Sequence, residues 1–212
     1  MGVMGSVWAI VVAAGSGSRF GGAKQYAPLL GRRVLDWSLD AARSVSDGVV
    51  LVVAEGHELD DEPGADVVVV GGRTRSESVR AGLAEVPDGA AVVVVHDAAR
   101  PLASHGLFRA TVDAVMAGAD VAVPVAPVVD TVTDEHGTAV DRDGLRIVQT
   151  PQAFAADVLR RIHASSPEAT DDASLVVAAG GRLRQVGGER WNLKITEADD
   201  LVVAEAILGV TQ

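Results

Sequence analysis

The sequence predicts a three-layer α/β fold, in which helices cover both faces of a mostly parallel sheet. Short apolar runs rich in β-branched residues alternate with longer segments whose apolar residues recur at helical spacing. Continuous apolar runs are typical of strands buried on both faces, and their alternation with helices is typical of βαβ crossovers. The composition agrees with this fold class, because 48% of the 212 residues are hydrophobic and the length suits a single domain, 1–212.

The elements follow from these two periodicities. The predicted strands are Val7–Val12, Val49–Val53, Val67–Val70, Val92–Val95, Val121–Val125 and Arg182–Val186. The predicted helices are Val34–Val45, Arg75–Val86, Leu107–Ala117, Ala155–Ala164 and Glu197–Leu208. Thr196 is the expected N-cap of the last helix, and Thr170–Ala173 resembles a helix start with acids in its first turn.

The segment 127–150 breaks the alternation and predicts a protruding β-hairpin arm. Val128–Thr133 and Leu145–Gln149 have the pattern of two strands, with Asp134–Gly144 as the turn region between them. A hairpin of this length cannot bury itself, so it either folds onto the core or reaches a second copy of the chain. We therefore expect a homodimer in which the arms are exchanged.

Charge and composition exclude several classes of protein. The formal net charge is −11 at pH 7, which argues against a broad surface for nucleic acid or an anionic membrane. The chain has no cysteine, so disulfides and thiolate metal sites are excluded. No apolar run has the length of a membrane span, and no charged region precedes the first strand, so we expect a cytoplasmic protein without a signal peptide.

The most informative stretch is the loop 15–24 after the first strand. Its four glycines allow backbone N–H groups to approach a ligand, and Arg19 and Lys24 add two cations ahead of the first acid, Asp36. Such a loop can cradle phosphates, with a simple tight turn as the alternative. The spacing does not fit a dinucleotide-binding fingerprint, because Phe20 takes the place of the third glycine, and no Gly-Lys-Ser/Thr follows as in a P-loop.

Two further strands end in candidate ligand-binding segments, and ligands of parallel sheets bind beyond the carboxyl ends of the strands. Gly71–Ser78 carries hydroxyls and cations that suit a nucleotide, or that cap the next helix. Asp97 follows the strand that ends at Val95, where a carboxylate can hold Mg²⁺ or a ribose hydroxyl, or can stabilise a turn. We expect the neighbouring His96 to be structural or to donate a hydrogen bond from behind the site.

These segments suit a phosphoryl-type transfer better than an acyl transfer, since the chain has no cysteine and no G-x-S-x-G elbow. A phosphate oxyanion that attacks phosphorus needs surrounding cations and a divalent metal rather than a strong general base. Arg19, Lys24, Arg142 and Lys194 are the candidate cations. Asp97 is the candidate metal ligand, directly or through water.

The motifs in combination resemble one enzyme family. They are Ala13-Ala14-Gly15-x-Gly17-x-Arg19, Lys24-Gln25-Tyr26, Gly71-Gly72, Ser76-x-Ser78-Val79, His96-Asp97-Ala98-Ala99-Arg100-Pro101, Asp130-Thr131, Asp141-Arg142-x-Gly144-Leu145, Thr150-Pro151-Gln152 and Asn192-x-Lys194-x-Thr196. Over residues 7–208 the chain resembles the 2-C-methyl-D-erythritol 4-phosphate cytidylyltransferases of the non-mevalonate isoprenoid pathway. The resemblance implies a GT-A-like, Rossmann-like nucleotidyltransferase fold.

The resemblance also implies a reaction and a set of roles. The family makes 4-CDP-2-C-methyl-D-erythritol and pyrophosphate from CTP and a polyol phosphate, with Mg²⁺ or another divalent cation. Arg19 and Lys24 would stabilise the transition state, while Lys194 and the partner-supplied Arg142 would hold the incoming phosphate. The other implied substrate-binding residues are Ala13, Ala14, Gly15, Gly17, Gly72, Ser78, Asp97, Ala98, Arg100 and Thr131.

The chain departs from the usual family pattern at Phe20 and Ala23, where the family has Met and Pro, and no role is transferred to Arg73, which replaces an acid. A ribitol-5-phosphate cytidylyltransferase shares much of the same motif set and is the alternative enzyme. The alternative from another class is a non-catalytic nucleotide-binding regulatory domain. An NAD(P)-binding domain is disfavoured by the glycine spacing.

Overall fold

The computed structural model describes residues 5–57 and 62–211. In chain order the strands are β1 (Ser6–Val12), β2 (Pro28–Leu29), β3 (Arg32–Arg33), β4 (Gly48–Val53), β5 (Val67–Val70), β6 (Ala90–Asp97), β7 (Val121–Pro127), β8 (Val132–Thr133), β9 (Ala139–Val140), β10 (Arg146–Val148), β11 (Gln152–Ala155) and β12 (Leu183–Gly187). The α-helices are α1 (Val34–Arg43), α2 (Arg75–Ala84), α3 (His105–Met116), α4 (Ala156–His163), α5 (Asp172–Ala178) and α6 (Asp199–Thr211). Short 3-10 turns occupy Lys24–Tyr26 and Arg142–Gly144.

The main sheet has the strand order β10-β7-β11-β6-β1-β4-β5, and β12 pairs with β7 as well. β1, β4, β5 and β6 run parallel, and β12 runs parallel to β7. β10 and β11 run antiparallel to their neighbours. The prediction of a mostly parallel sheet is confirmed. β1 lies between β4 and β6, so the loop after β1 begins beside the carboxyl ends of both.

Helices cover both faces of this sheet, as predicted. Val11 of β1 belongs to the core cluster that contains Phe108 of α3, whereas Ile10 belongs to the opposite cluster, with Leu159 of α4. All four side chains are fully buried. The strands are apolar at consecutive positions because successive side chains point to opposite faces and both faces are covered. Burying each such side chain contributes about 2 kcal/mol before the entropy of folding is counted.

The helix starts show which hydroxyls and acids act as caps. The hydroxyl of Thr74 accepts the N–H of Glu77 at 3.1 Å, and the carboxylate of Glu77 accepts the N–H of Thr74. These two reciprocal bonds form a capping box at the start of α2. The helix start predicted at Thr170–Ala173 is present as the start of α5, with Asp171 as its N-cap and Asp172 in its first turn. The prediction that Thr196 caps the last helix is wrong, because the carboxylate of Asp200 instead accepts the N–H of Thr196 at 2.6 Å and that of Glu197 at 2.8 Å.

The strands of the segment 127–150 differ from the predicted pair. β8 forms a short hairpin with β9, while β10 pairs antiparallel with β7 of the main sheet. The predicted pairing of Val128–Thr133 with Leu145–Gln149 is therefore wrong, although a protruding, mostly exposed hairpin is present. The sequence prediction also missed β11, a four-residue strand between β6 and β7 whose few residues carry no distinct periodicity.

Candidate active site

A cavity of about 530 Å³ opens beyond the carboxyl ends of β1, β5 and β6. Four segments that are distant in sequence line it: the loop after β1, the start of α2, the residues after β6 and the stretch around residue 194. The lining residues are Val12, Ala13, Ala14, Gly15, Ser16, Gly17, Ser18, Arg19, Lys24, Gln25, Gly72, Arg73, Thr74, Arg75, Ser78, Asp97, Ala98, Ala99, Lys194 and Thr196. The position is the one expected for a ligand site in a parallel sheet.

The loop after β1 depends on Gly17. Its φ of 63° lies in the left-handed region, and its carbonyl accepts the N–H groups of Phe20 at 2.9 Å and Gly21 at 3.0 Å. A Cβ atom at this position would lie 1.8 Å from the carbonyl oxygen of Gly22. No side chain fits there, so the glycine allows the loop to fold back on itself and bring Lys24 beneath it.

The start of α2 forms the second wall of the cavity. Gly71 packs closely against the first loop, since a Cβ there would lie 2.7 Å from the Cβ of Ala14 and 2.6 Å from the hydroxyl oxygen of Ser78. The N–H of Gly72 donates to the same hydroxyl at 3.2 Å. The positive end of the α2 dipole therefore lies at the cavity, where it favours an anion.

Asp97 is the only carboxylate that lines the cavity among the described residues. Its Oδ2 lies 2.7 Å from Nζ of Lys194 and 4.0 Å from Nε of Arg100, and its Oδ1 lies 3.6 Å from Nε of Arg75. Burial alone would raise the pKa of Asp97, but Lys194 and Arg75 outweigh it and hold the pKa below its ordinary value. The carboxylate is therefore ionised at neutral pH.

Several cations converge on the same space. Arg19, Lys24 and Lys194 line one cavity. The pKa of Lys24 is lowered, mainly because the side chain is partly buried and also because of the positive charges of Lys194 and Arg19. Neither Arg19 nor Lys24 forms an ion pair within the described part of the chain. Uncompensated cations beside a glycine loop form a site for an anion of several charges, such as a triphosphate.

Backbone and side-chain hydrogen bonds hold Lys194 at the cavity. The guanidinium of Arg100 donates to the carbonyl of Asn192 at 2.8 Å, and the N–H of Ile195 donates to the carbonyl of Ala99 at 2.8 Å. These bonds tie the stretch on both sides of Lys194 to the residues after β6. Arg100 therefore lies behind Asp97 and does not line the cavity.

His96 is buried beneath Asp97 in a chain of hydrogen bonds. The N–H of Asp97 donates to the hydroxyl of Thr150 at 3.1 Å, the hydroxyl donates to Nδ1 of His96 at 3.1 Å, and Nε2 faces the carbonyl of Arg100 at 3.3 Å. Burial lowers the pKa of His96 to about 4, so the ring is neutral at pH 7. His96 supports the backbone of Asp97 from behind the site.

Most of the predicted site residues share this cavity. Those that line it are Ala13, Ala14, Gly15, Gly17, Arg19, Lys24, Gly72, Ser78, Asp97, Ala98 and Lys194. Thr131 and Arg142 do not, because both belong to the exposed arm, where the Arg142 guanidinium donates to the carbonyl of Val129. One chain therefore brings together all of the predicted residues except these two and Arg100.

Sequence reasoning named Arg75 only within the candidate segment Gly71–Ser78, and the structure shows that it lines the cavity. Its Nη1 pairs with the fully buried Asp172, and Nε2 of His163 lies 3.0 Å from the other oxygen of the same carboxylate. A row of charged groups thus runs from Asp97 through Arg75 into the protein interior. The sequence did not predict this row because its members lie up to 97 residues apart. In addition, two adjacent acids such as those at 171–172 more commonly mark the start of a helix.

Comparisons with known proteins decide the family. The family model described as 2-C-methyl-D-erythritol 4-phosphate cytidylyltransferase matches residues 7–210. The chain belongs to this cytidylyltransferase family. The fold is accordingly an α/β nucleotidyltransferase fold.

Relatives and solved structures agree over nearly the whole length. A cytidylyltransferase of this name from Saccharopolyspora erythraea is 45% identical, over 96% of this chain and 100% of its own. One from Nocardia farcinica is 43% identical, over 96% of this chain and 94% of its own. The crystal structure of the Thermus thermophilus cytidylyltransferase superposes with a TM-score of 0.84 at 38% identity, covering 96% of this chain and 98% of that one.

The donor set of the cavity suits a divalent cation that arrives with a nucleotide. The described residues contain no cluster of three or more His, Cys, Asp or Glu side chains able to hold a metal. Mg²⁺ often binds through one or two carboxylates, several waters and substrate phosphates, and Asp97 can supply the one carboxylate. Among the helices of the described residues, none has the length and apolarity needed to cross a bilayer.

Proposed function

We propose that this protein transfers a cytidylyl group from CTP to 2-C-methyl-D-erythritol 4-phosphate and releases pyrophosphate. The observation that carries the proposal is the convergence of Arg19, Lys24 and Lys194 around a glycine loop, with the ionised carboxylate of Asp97 among them. Such a constellation matches a reaction between two phosphate-bearing substrates, in which positioning and charge stabilisation do most of the work.

In the proposed reaction, an oxygen of the sugar phosphate attacks the α-phosphorus of CTP. A new phosphorus–oxygen bond forms while the bond to the pyrophosphate oxygen breaks, so pyrophosphate leaves with its electron pair. The nucleophile is already an anion, so no general base is required, in keeping with the buried and neutral His96. Arg19 and Lys24 stabilise the charge that develops on the transferred phosphoryl group, and Lys194 binds the phosphate of the acceptor.

Ala13, Ala14, Gly15, Gly17, Gly72 and Ser78 form the nucleotide side of the proposed site. Asp97 and Ala98 line the part of the cavity that would hold the metal and the acceptor. A bound divalent cation would neutralise charge on the triphosphate, and Asp97 is the residue that would hold it. Arg100 contributes indirectly by supporting Asn192 and the position of Asp97.

The arm completes the proposed site from a second subunit. Thr131 and Arg142 lie on the exposed segment 127–150 of this single-domain chain, away from the cavity of their own protomer. In a homodimer with exchanged arms they reach the partner's cavity, where Arg142 contacts the acceptor phosphate. We place this enzyme in the cytoplasm.

Pyrophosphate release from CTP in the presence of Mg²⁺ tests the function. Turnover is expected with methylerythritol 4-phosphate as acceptor, and with CTP in preference to other nucleoside triphosphates. A clear preference for ribitol 5-phosphate would replace the acceptor named here. Nucleotide binding without pyrophosphate release from any polyol phosphate would contradict an enzymatic role and favour a regulatory domain.

A further inference from the structure

Gln25 lies beneath the glycine loop, in the 3-10 turn that carries Lys24. Its side chain is only 3% exposed. Nε2 donates to the carbonyl of Ala13 at 2.7 Å and to that of Gly15 at 3.3 Å. One buried amide therefore spans the end of β1 and the first part of the loop, and ties both to the turn that contains Lys24.

The bonds of Gln25 belong to a regular pattern along the loop. The carbonyls of Ala13 and Gly15 are held by Gln25, and the next alternate carbonyl, that of Gly17, accepts the N–H groups that close the loop. All three carbonyls are thus engaged by the protein. In a planar trans peptide the N–H of the following residue points opposite to the carbonyl, so the N–H groups of Ala14, Ser16 and Ser18 point the other way.

The other side of the loop carries its N–H groups. From Ala14 to Arg19, the backbone N–H groups donate to no residue within 5–57 or 62–211, and all six residues line the cavity. Successive free N–H groups on one side of a loop form a concave anion-binding surface. The carbonyl bonds on the opposite side determine which way this surface faces.

We infer that Gln25 is a positioning residue that sets the direction of the loop peptides, so that the N–H groups of Ala14, Ser16 and Ser18 meet the triphosphate. Without its amide, the carbonyls of Ala13 and Gly15 lose their partner and the two peptide planes are free to turn. A turned plane presents a carbonyl oxygen to the phosphate in place of an N–H. The inference deepens the proposed function, since it names the group that orients the triphosphate loop.

Gln25→Met tests this role, because it keeps the length of the side chain and removes both donors. Inorganic tripolyphosphate is the probe, with binding followed by calorimetry on the full-length protein. We expect the dissociation constant to rise by about tenfold to a hundredfold, as for the loss of one or two hydrogen bonds to a charged group. Thr111→Val is the matched control, since it removes one buried hydroxyl of α3, away from the cavity, and should leave binding unchanged.

Steady-state kinetics separate positioning from general destabilisation. In Gln25→Met, the KM for CTP should rise by tenfold or more while the KM for the sugar phosphate changes by less than threefold. Equal changes in both constants, or tripolyphosphate binding within threefold of wild type, would overturn the inference. If the wild-type protein binds tripolyphosphate in a Gln25-dependent way but releases no pyrophosphate, the proposed function fails and the role of Gln25 stands.

A measurement on the wild-type protein decides the matter if Gln25→Met does not fold. The amide signals of Ala14, Ser16 and Ser18 in ¹⁵N-resolved spectra should shift, and their hydrogen exchange should slow, when tripolyphosphate is added. Amides that are already protected without ligand, or that do not respond to it, would contradict the proposed direction of the loop.

Discussion

The balance of charge among single residues is the physical basis for the proposed binding of an anion in the cavity. Asp97 and Lys194 neutralise each other across 2.7 Å, whereas neither Arg19 nor Lys24 forms an ion pair within the described residues. Holding such cations together in a partly buried site costs free energy, which a bound triphosphate recovers.

Lys194→Ala should impair use of the sugar phosphate more than binding of CTP. The variant removes the cation proposed to bind the acceptor phosphate and leaves Asp97 without its closest partner. Loss of one such donor typically lowers the rate by about 10²–10³-fold. Pyrophosphate-release kinetics with either substrate varied should show the larger change in kcat and in the KM for the acceptor. Arg109→Ala, which removes an exposed cation of α3, is the control and should behave as wild type.

Gly17→Ala should disrupt the loop, because the new Cβ would lie 1.8 Å from the carbonyl of Gly22. We expect the KM for CTP to rise by about tenfold or more, as for the loss of more than 1.4 kcal/mol of binding. Gly21→Ala is the matched control: its φ of 85° is also in the left-handed region, but a Cβ there meets nothing within 4 Å. Similar kinetics for the two variants would show that backbone strain alone, rather than the close contact, explains the effect.

At the scale of elements, two ion pairs connect α2 to the segment that leads into α5. Arg75 pairs with the buried Asp172 on the cavity side, and Arg80 pairs with the exposed Glu168 at 2.7 Å on the outer side. The hydroxyl of Ser76 adds a bond to the carbonyl of Ala169 at 3.0 Å. These links hold the start of α2, and with it one wall of the cavity, against a segment almost a hundred residues away in sequence.

Asp172→Asn should lower the free energy of unfolding by about 3 kcal/mol at pH 7, because it leaves Arg75 and His163 without their shared carboxylate. Burial raises the pKa of Asp172, but the hydrogen bond from His163 and the charge of Arg75 outweigh it, so the folded-state pKa is lowered. The stabilisation is then fully present above the unfolded-state pKa of about 3.9 and is lost as the pH falls toward the folded-state value.

Urea unfolding of wild type and Asp172→Asn at several pH values checks this. The difference between the two proteins should be largest at neutral pH and should shrink below about pH 4. Glu168→Gln, which removes the exposed pair, is the control and should change the unfolding free energy much less. A difference that stays constant down to pH 3 would argue against an ionised Asp172.

At the scale of the whole molecule, a chain of net charge −11 brings Arg19, Lys24 and Lys194 together at one end of the sheet. A net negative charge disfavours anionic partners such as nucleic acid, and we expect the cationic cavity to attract small anions. The exposed arm carries two more cations, Arg142 and Arg146, and the guanidinium of Arg142 donates to the carbonyl of Val129 on the same arm. The proposed dimer places Arg142 in the cavity of the other subunit.

Coexpression of Arg142→Ala and Lys24→Ala chains tests the exchange of arms. Each variant alone should have little activity. If Arg142 acts in the partner's cavity, a mixed dimer has one site with neither substitution, and random pairing restores roughly a quarter of the wild-type sites. The activity of the coexpressed mixture is measured as pyrophosphate release, and sedimentation confirms that the protein is a dimer. Activity no greater than that of the separate variants would place Arg142 in its own protomer or outside the site.

The sequence by itself determined the features that are local in the chain. Continuous apolar runs, helical spacing and glycine-rich loops predicted the sheet, its two helical layers and the end of the sheet where the cavity lies. Lys24 and Asp97 were predicted because each lies directly beside a loop or strand end, and both line the cavity. Backbone preference and the burial of both sheet faces impose these patterns residue by residue.

Only the tertiary structure decided the pairings between distant parts of the chain. The contact of Arg75 with Asp172, the bonds of Gln25 to the loop carbonyls and the insertion of β11 between β6 and β7 have no local signature. Each brings together groups whose approach costs chain entropy, and that cost is met by the packing of the assembled core rather than by the pair itself. The sequence of one chain therefore predicts which residues line the cavity, while the assembled fold determines how their side chains and peptide groups are oriented.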